Sequence, residues 1–472
     1  GDVNAGLQLE LRGDNYERPL VNLHYHHKKI KLPDSWYNDG KGGCEFYESD
    51  SSLVLSAYTG ECQVNSNKKL TFIFSLLITP FKTINTEGQW KYRYYHSHPG
   101  NPVINPDSIV KLGANVINIH HATYMNPFIN YPFLEVDKMK KYVEMVHKNN
   151  ALMKIYYTVR EMSNHICEMG AFRSLDDEIF AYGPGEGDAW LREHLYDNYI
   201  PAWYDISVRD AAIITSGMSR LHNYYLEGLD WLTKNVKIDG LYLDDVAYDR
   251  TVMKRARKIL DRNRPEALID LHSWNHYNKL AGFANNANLY MESFPYIDRL
   301  WFGEVFDYEN STPDYWLIEI SGIPYGLMSE MLGNNNGGNI YRGMVYGITN
   351  RLPWSGDPRN LWKFWDDYGI QGSEMIGYWD KNNPVKTNYD DILATTYLNN
   401  GKAIIAIASW NKSTQDVKLN IDWSKIGIKP ENAEIISPEI KDFQNINKYS
   451  LGDSIKIQPS KGIILVIREK NK

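Results

Sequence analysis

The sequence predicts an α/β protein: a (β/α)8 TIM-type barrel, flanked by an N-terminal β-sandwich that is open to being incomplete at its start and by a small C-terminal β-sandwich. Three observations predict it. From about residue 100 to about 385, short apolar strands alternate with amphipathic helices, the pattern of repeated βαβ units around a parallel sheet. On either side of that stretch the helical period is lost, and strand-sized apolar runs are punctuated by Gly, Asn and Asp. The length, 472 residues, is too great for one core and suits two or three domains.

Residues 1–98 read as the first β region. Thr71–Thr79 is a clear strand closed by Pro80, Leu53–Ala57 is another, and Asn38–Gly43 supplies turn residues. Residues 99–385 read as the barrel. Its first strand is placed at Asn115–Ile119 and its second at Leu152–Tyr157, with a helix between them presenting Met139, Tyr142, Val143 and Val146 on one face. Ala202–Tyr204 is taken as part of the third strand. A helix over Ser219–Asn235, with Leu221, Tyr225, Leu229 and Leu232 at helical spacing, feeds the fourth, Gly240–Leu243. A helix carrying Met253, Ala256, Ile259 and Leu260 leads to the fifth, Ala267–Leu271. Strands at Leu289–Glu292 or Leu300–Glu304, at Trp316–Ile320 and at Met344–Ile348 bring the count to about eight, the number of a TIM barrel. A doubly wound open sheet is the alternative, but no strand-to-helix turn carries a Gly-rich dinucleotide or phosphate loop. Residues 386–472 return to β, with strands at Ala403–Ala408, Val417–Ile421, Ile455–Ile457 and Gly462–Ile467.

Composition narrows the function. The net charge of -7 is spread without long runs of one sign, which argues against nucleic-acid and anionic-membrane partners, since both need a concentrated basic face. No apolar run reaches the roughly 20 residues of a membrane span. The chain opens on Gly1-Asp2-Val3, without a start Met, and is expected to be processed or shortened at its N-terminus. Of three cysteines, Cys44 and Cys62 could pair, and the set suggests neither a disulfide scaffold nor a metal cluster. With 34 Tyr and 14 Trp against 14 Phe, the aromatic rings are mostly those that join an apolar face to a polar tip, a combination suited to stacking on sugars as well as to ordinary packing.

The chemistry of a TIM barrel sits at the C-terminal ends of its strands, so the residues just past each strand are the informative ones. Gly240–Leu243 runs into Asp244-Asp245 and then Val-Ala-Tyr-Asp249. Adjacent carboxylates disfavour each other's charge, and a glycosidase needs one carboxyl protonated and another ionised. Asp245 or Asp249 could equally cap the following helix. Asp244 and Asp245 are therefore the first catalytic candidates, with Glu304 as a carboxylate from a later strand. Other strand ends offer substrate-binding candidates: His120, His121 and Tyr124; Tyr157 and Arg160; Trp203; His272 and Trp274; Glu292; and Trp379. Together they predict a polar, aromatic-lined cleft for an oligosaccharide or polysaccharide. No cofactor and no metal is expected: the His24/His26/His27 and His96/His98 groupings lack Cys or carboxylate partners at ligand spacing, and neither a Gly-x-Ser-x-Gly elbow nor a His-Glu-x-x-His motif occurs.

Ile238–Asp249, Asn130–Phe133 and Gly372–Trp379 resemble the glycoside hydrolase family 123-like proteins. That resemblance implies β-N-acetylgalactosaminidase-like activity with substrate assistance, in which the acetamido oxygen attacks the anomeric carbon. It implies Asp244 as the residue that polarises the acetamido group and Asp245 as the acid/base. The sequence departs from the family pattern in carrying Asp, not Glu, at 245, a side chain one methylene shorter. A conventional retaining glycosidase on a sugar without an acetamido group stays open, with Asp244 or Asp245 as nucleophile and Glu304, then Glu292, as acid/base. So does a non-catalytic carbohydrate-binding protein. The resemblance and a glycan substrate imply a secreted or periplasmic location.

Overall fold

The computed structural model describes residues 3–13, 32–67, 69–98, 103–158, 160–186, 191, 198–216, 219–245, 250–273, 285–331, 333 and 338–470. Its centre is a parallel sheet of seven strands: β1 (Tyr94–Ser97), β2 (Val116–Ile119), β3 (Leu152–Tyr156), β4 (Gly240–Asp244), β5 (Leu268–His272), β6 (Arg299–Trp301) and β7 (Met328–Ser329). Their spatial order follows the chain. The eighth position is filled by residues 349–352, too short to count as a strand. Met331 donates to the Thr349 carbonyl at 3.2 Å, Leu352 to Tyr94 at 2.8 Å and His96 to Leu352 at 2.6 Å. These bonds join the two sheet edges, so the sheet closes as a TIM barrel.

A helix follows each strand position, including Pro106–Lys111, Val136–Lys148, Ser219–Trp231, Arg250–Asn263 and Arg359–Tyr368. They form where the apolar period demands. Met139, Tyr142, Val143 and Val146 are all buried on one, and Val252, Met253, Ala256 and Leu260 on another. Asn105 and Thr312 cap their helices by accepting from the first-turn amides of Asp107 and Tyr315.

The two-residue period of the strands sorts the barrel into an oily exterior and an unusual interior. Ile117, Ile119, Met153, Ile155, Leu241, Leu243, Ile269 and Leu271 face the helices. Their alternates, Tyr94, Tyr156, Tyr242 and Trp301, cluster inside with buried charges. Lys154 is ion-paired with Asp270, both fully buried. Arg299 bonds Glu330 at 2.8 Å and Gln89 at 2.7 Å.

Several expected strands resolve differently. The barrel begins at Tyr94–Ser97, not Asn115–Ile119, so its first strand precedes residue 99. Ala202–Tyr204 lies in a separate three-stranded antiparallel sheet of Glu161–Ser163, Asp210–Ile214 and Pro201–Asp205, inserted between β3 and β4. Leu289–Glu292 and Trp316–Ile320 fall in or at the ends of helical turns, and Met344–Ile348 begins in the last turn of the helix Ile340–Val345 and leaves it through a turn.

The flanks are antiparallel. Gly6–Arg12 pairs with Ile73–Thr79, and Gly43–Ser49 with Ser52–Tyr58. Cys44 and Cys62 are free and exposed, so the pairing considered for them does not form. The C-terminal region is a six-stranded sheet with two smaller strand pairs against it. In Lys402–Ser409, Ala403, Ile405 and Ile407 face the sandwich core while Ile404, Ala406 and Ala408 pack on the barrel, the same alternation serving two cores. Among the described residues no helix is long and apolar enough to cross a membrane.

Candidate active site

The last residues of β4 and β5 and a residue just past β6 converge. The His272 ring bonds the Asp244 carboxylate through Nδ1 at 2.7 Å and the Glu304 carboxylate through Nε2 at 2.8 Å. His272 is buried, while the side chains of Asp244 and Glu304 keep 22% and 26% of their exposure, so the two carboxylates open onto the cleft and the imidazole lies behind them. Burial works against charge on all three, and the mutual pairing outweighs it. His272, opposed by burial but flanked by Asp244 and Glu304, is pushed up to about 9. Burial would raise Asp244, yet the imidazolium beside it holds its carboxyl well below the usual range. The His272 hydrogen bond likewise lowers Glu304. At neutral pH the group is carboxylate, imidazolium, carboxylate.

Asp245 faces elsewhere. Its backbone is in the left-handed region, at φ 59°, which turns the side chain away from its neighbour. Arg160 Nη1 donates to its Oδ2 at 2.6 Å and the Tyr290 hydroxyl to its Oδ1 at 2.8 Å. Thr158 donates to its carbonyl at 2.9 Å. Arg160 is shared with Glu161, fully buried, which also accepts from the Tyr156 hydroxyl at 2.9 Å. Both Asp245 oxygens are thus engaged by protein donors, and only 8% of the residue is exposed.

His120 and His121 sit past β2, 4.1 Å apart between ring centroids, with His120 4.6 Å from Tyr156. Burial lowers His120 to about 4 and His121 well below the usual range, so both are neutral and can bond hydroxyls either way. Tyr124 is 54% exposed. Three candidates do not join the cluster. Tyr157 points into the helix layer, stacked on Tyr225 at 4.5 Å, because it is the outward alternate of β3's inward Tyr156. Glu292 lies in a helical turn and approaches Arg12 at 3.5 Å. Trp379 lines a groove of about 740 Å³ with Pro80, Thr83, Thr86, Ile323 and Gly326, residues that precede the strands and so mark the opposite end of the barrel. Trp274, Asp249 and the His24/His26/His27 group lie outside the described residues, as does the side chain of Trp203. Among the described residues no three His, Cys, Asp or Glu side chains group as metal ligands.

Sequence reasoning missed Tyr290, which holds Asp245 from a helical turn, and the wall made by residues past β1 and the eighth position. There His96 lies 5.0 Å from Tyr242 and 5.8 Å from Trp301, His98 meets Trp354 edge-on at 4.3 Å, and Arg351 stacks on Trp301 at 3.9 Å. Placing β1 at Tyr94–Ser97 would have exposed the first two as strand-end residues.

The sequence matches three family models: Glycoside hydrolase 123, TIM-barrel domain, over residues 85–353; its C-terminal domain over 357–468; and its third domain over 1–80. Among solved structures, an Anoxybacillus alpha-amylase is similar at a TM-score of 0.50 and 12% identity, over 81% of this chain and 99% of that one. The noncanonic maltogenic alpha-amylase AmyB from Thermotoga neapolitana is similar at 0.49 and 13%, over 80% of this chain and 98% of that one. At 12% identity the likeness to the Anoxybacillus enzyme speaks for the fold alone. No curated protein matches the sequence.

Proposed function

The chain belongs to the glycoside hydrolase 123 family, and from that premise we propose that it hydrolyses a β-N-acetylhexosaminide by substrate-assisted catalysis. One observation carries the reading of the site: Asp244 and Glu304 flank a single buried imidazole at the mouth of the barrel. Asp244, held ionised by His272, is suited to orient and polarise an acetamido N–H so that its oxygen can attack the anomeric carbon. Glu304 takes the acid/base role. Its carboxylate shares the Nε2 hydrogen bond of the His272 imidazolium, and because that proton is held with a pKa of about 9, it passes through Glu304 only as the glycosidic oxygen gains basicity while its bond breaks. Asp245, with both oxygens occupied by Arg160 and Tyr290, serves as a positioning residue that fixes the turn after β4.

The withdrawal of Asp245 also favours a second reading, in which Asp244 is a nucleophile and Glu304 the acid/base on a sugar without an acetamido group. A screen of 4-nitrophenyl glycosides of N-acetylgalactosamine, N-acetylglucosamine, galactose, glucose and fucose in both anomers separates the two. Release confined to β-N-acetylhexosaminides, inhibited by a sugar-fused thiazoline that mimics the cyclised acetamido intermediate, is the expected result. Release from a sugar lacking the acetamido group, with a glycosyl ester trapped on Asp244, would replace the first reading with the second. A secreted or periplasmic setting is part of the proposal, since a glycan substrate of this kind is extracellular in most settings.

A further inference from the structure

Three cations lie buried inside the barrel, and two of them have a carboxylate of their own. Lys154 is paired with Asp270, and Arg299 with Glu330 at 2.8 Å. The third, Arg351, comes from the eighth strand position and is 1% exposed. Among the described residues its Nε and Nη1 have no hydrogen-bond partner, and no carboxylate stands at ion-pair distance from it. A guanidinium stays charged inside a protein, so its field has to be met by charge elsewhere.

The charge that meets it lies toward the mouth. Arg351 stacks on the Trp301 ring at 3.9 Å, and Trp301 lies opposite His272 in the β5–β6 register. The Trp301 ring meets Tyr242 at 5.2 Å, and Tyr242 stacks on His272 at 5.9 Å. Asp244, His272 and Glu304 form two carboxylates around one imidazolium, which leaves one negative charge in excess. The other neighbours do not cancel it. Arg160, on the β3 side, is already shared between Asp245 and Glu161, two carboxylates for one cation. Burial keeps His98 and His120 near 4, and His96 and His121 lower still, so these four rings are uncharged. Burial also raises Tyr156 and Tyr242, which stay as neutral phenols. Arg351 and the site are thus joined through two rings, Trp301 and Tyr242, in a medium that screens weakly. In keeping with this, Tyr242, Glu330, Glu304 and Asp244 favour the Arg351 charge against its burial, and Arg351 is among the groups that lower Glu304.

We propose that Arg351 is the counter-ion of the Asp244–His272–Glu304 group, a positioning residue that acts from behind Trp301 to loosen the proton held between His272 and Glu304. A cation there disfavours the protonated forms of both partners, so the proton leaves Nε2 of His272 for Glu304 more readily as Glu304 gives its own to the glycosidic oxygen. This catalytic meaning rests on the reading of Asp244 and Glu304 as the reacting carboxylates.

The test reads His272 directly, by ring-carbon NMR titration of histidine-labelled protein, with its signal identified by loss in His272→Gln. The wild type should titrate near 9. Arg351→Met and Arg351→Gln remove the charge and should move His272 up by about 0.5–1 unit, whereas Arg351→Lys should stay within about 0.2 unit of the wild type. The alkaline limb of kcat/KM should move by the same amount, which a merely structural loss would not produce. Neutral variants that fold yet leave His272 titrating as in the wild type, or an Arg351→Lys protein shifted as far as Arg351→Met, would overturn the proposal. Should neither neutral variant fold, Glu330→Gln takes their place. It leaves the interior one charge more positive and should move His272 down by a similar amount, and an unmoved His272 would again overturn the proposal. The titration needs no substrate, so a shift in a protein that cleaves no hexosaminide supports the coupling and fails the hexosaminide reading alone.

Discussion

Asp244 accepts a 2.7 Å hydrogen bond from Nδ1 of His272, one strand over in the barrel, and the other nitrogen of that ring is bound to Glu304. The register of the sheet sets this up: Asp244 lies directly opposite His272 in the β4–β5 pairing, and His272 opposite Trp301 in the β5–β6 pairing, three residues before Glu304. A one-residue slip would turn all of these side chains to the other face of the sheet.

The imidazole makes the site sensitive to alkali. His272 is raised to about 9 from an ordinary value near 6.5, so its pairing contributes fully below the lower value and is lost as pH climbs through about 9. Asp244 and Glu304 are lowered, so their share is present above their ordinary values and fades only in acid. Activity should fall with an apparent pKa near 9, and Tm should decline over the same range. His272→Gln should remove that alkaline limb from the Tm profile. A wild-type profile flat to pH 10 would contradict the assignment.

Asp245 should behave as a structural partner of Arg160. Asp245→Asn weakens a charged hydrogen bond at a mostly buried position and should cost about 2 kcal/mol of stability. Its kcat loss should be smaller than that of Asp244→Asn, and Arg160→Gln, which also strips buried Glu161 of its partner, should lower Tm further. Urea unfolding alongside initial rates checks this. An Asp245→Asn protein of native stability with no measurable turnover would return the acid/base role to Asp245.

The charged barrel interior yields a stability prediction remote from the chemistry. Asp270→Asn removes the carboxylate paired with Lys154, whose charge burial already disfavours and which Glu330 only partly offsets, and should cost about 3 kcal/mol, the lower end of the scale for breaking a buried pair. Replacing both residues together, as Lys154→Met with Asp270→Leu, should recover much of that loss. Chemical denaturation of the two variants decides it, and an Asp270→Asn protein as stable as the wild type would refute it.

Much of the barrel was legible in the sequence. Helices such as Val136–Lys148 carry their apolar stripe openly, and β4 announces itself as an apolar run ending in two carboxylates. What escaped did so for physical reasons. Tyr94–Ser97, whose sequence is Tyr-Tyr-His-Ser, points polar and aromatic groups into the barrel and so lacks the apolar run of a buried strand. β6 and β7 have three and two residues, and the eighth position is held by a few hydrogen bonds only, too little for a sequence pattern. Trp316, Leu317 and Ile320 looked strand-like, but their spacing fits the helix that Thr312 and Pro313 start. In the site, Glu304 could be named because it follows an apolar segment. The different orientations of Asp244 and Asp245 depend on a positive φ that an Asp-Asp pair does not advertise.

The most direct test of the Asp244–His272–Glu304 assignment is kcat for Asp244→Asn and Glu304→Gln on the aryl glycoside that the wild type cleaves best, each with its Tm. Both should lose at least about 100-fold in kcat, Glu304→Gln by removing the general acid/base and Asp244→Asn by removing the charge that polarises the acetamido group, while keeping a near-native Tm. Near-wild-type turnover in both variants would contradict it.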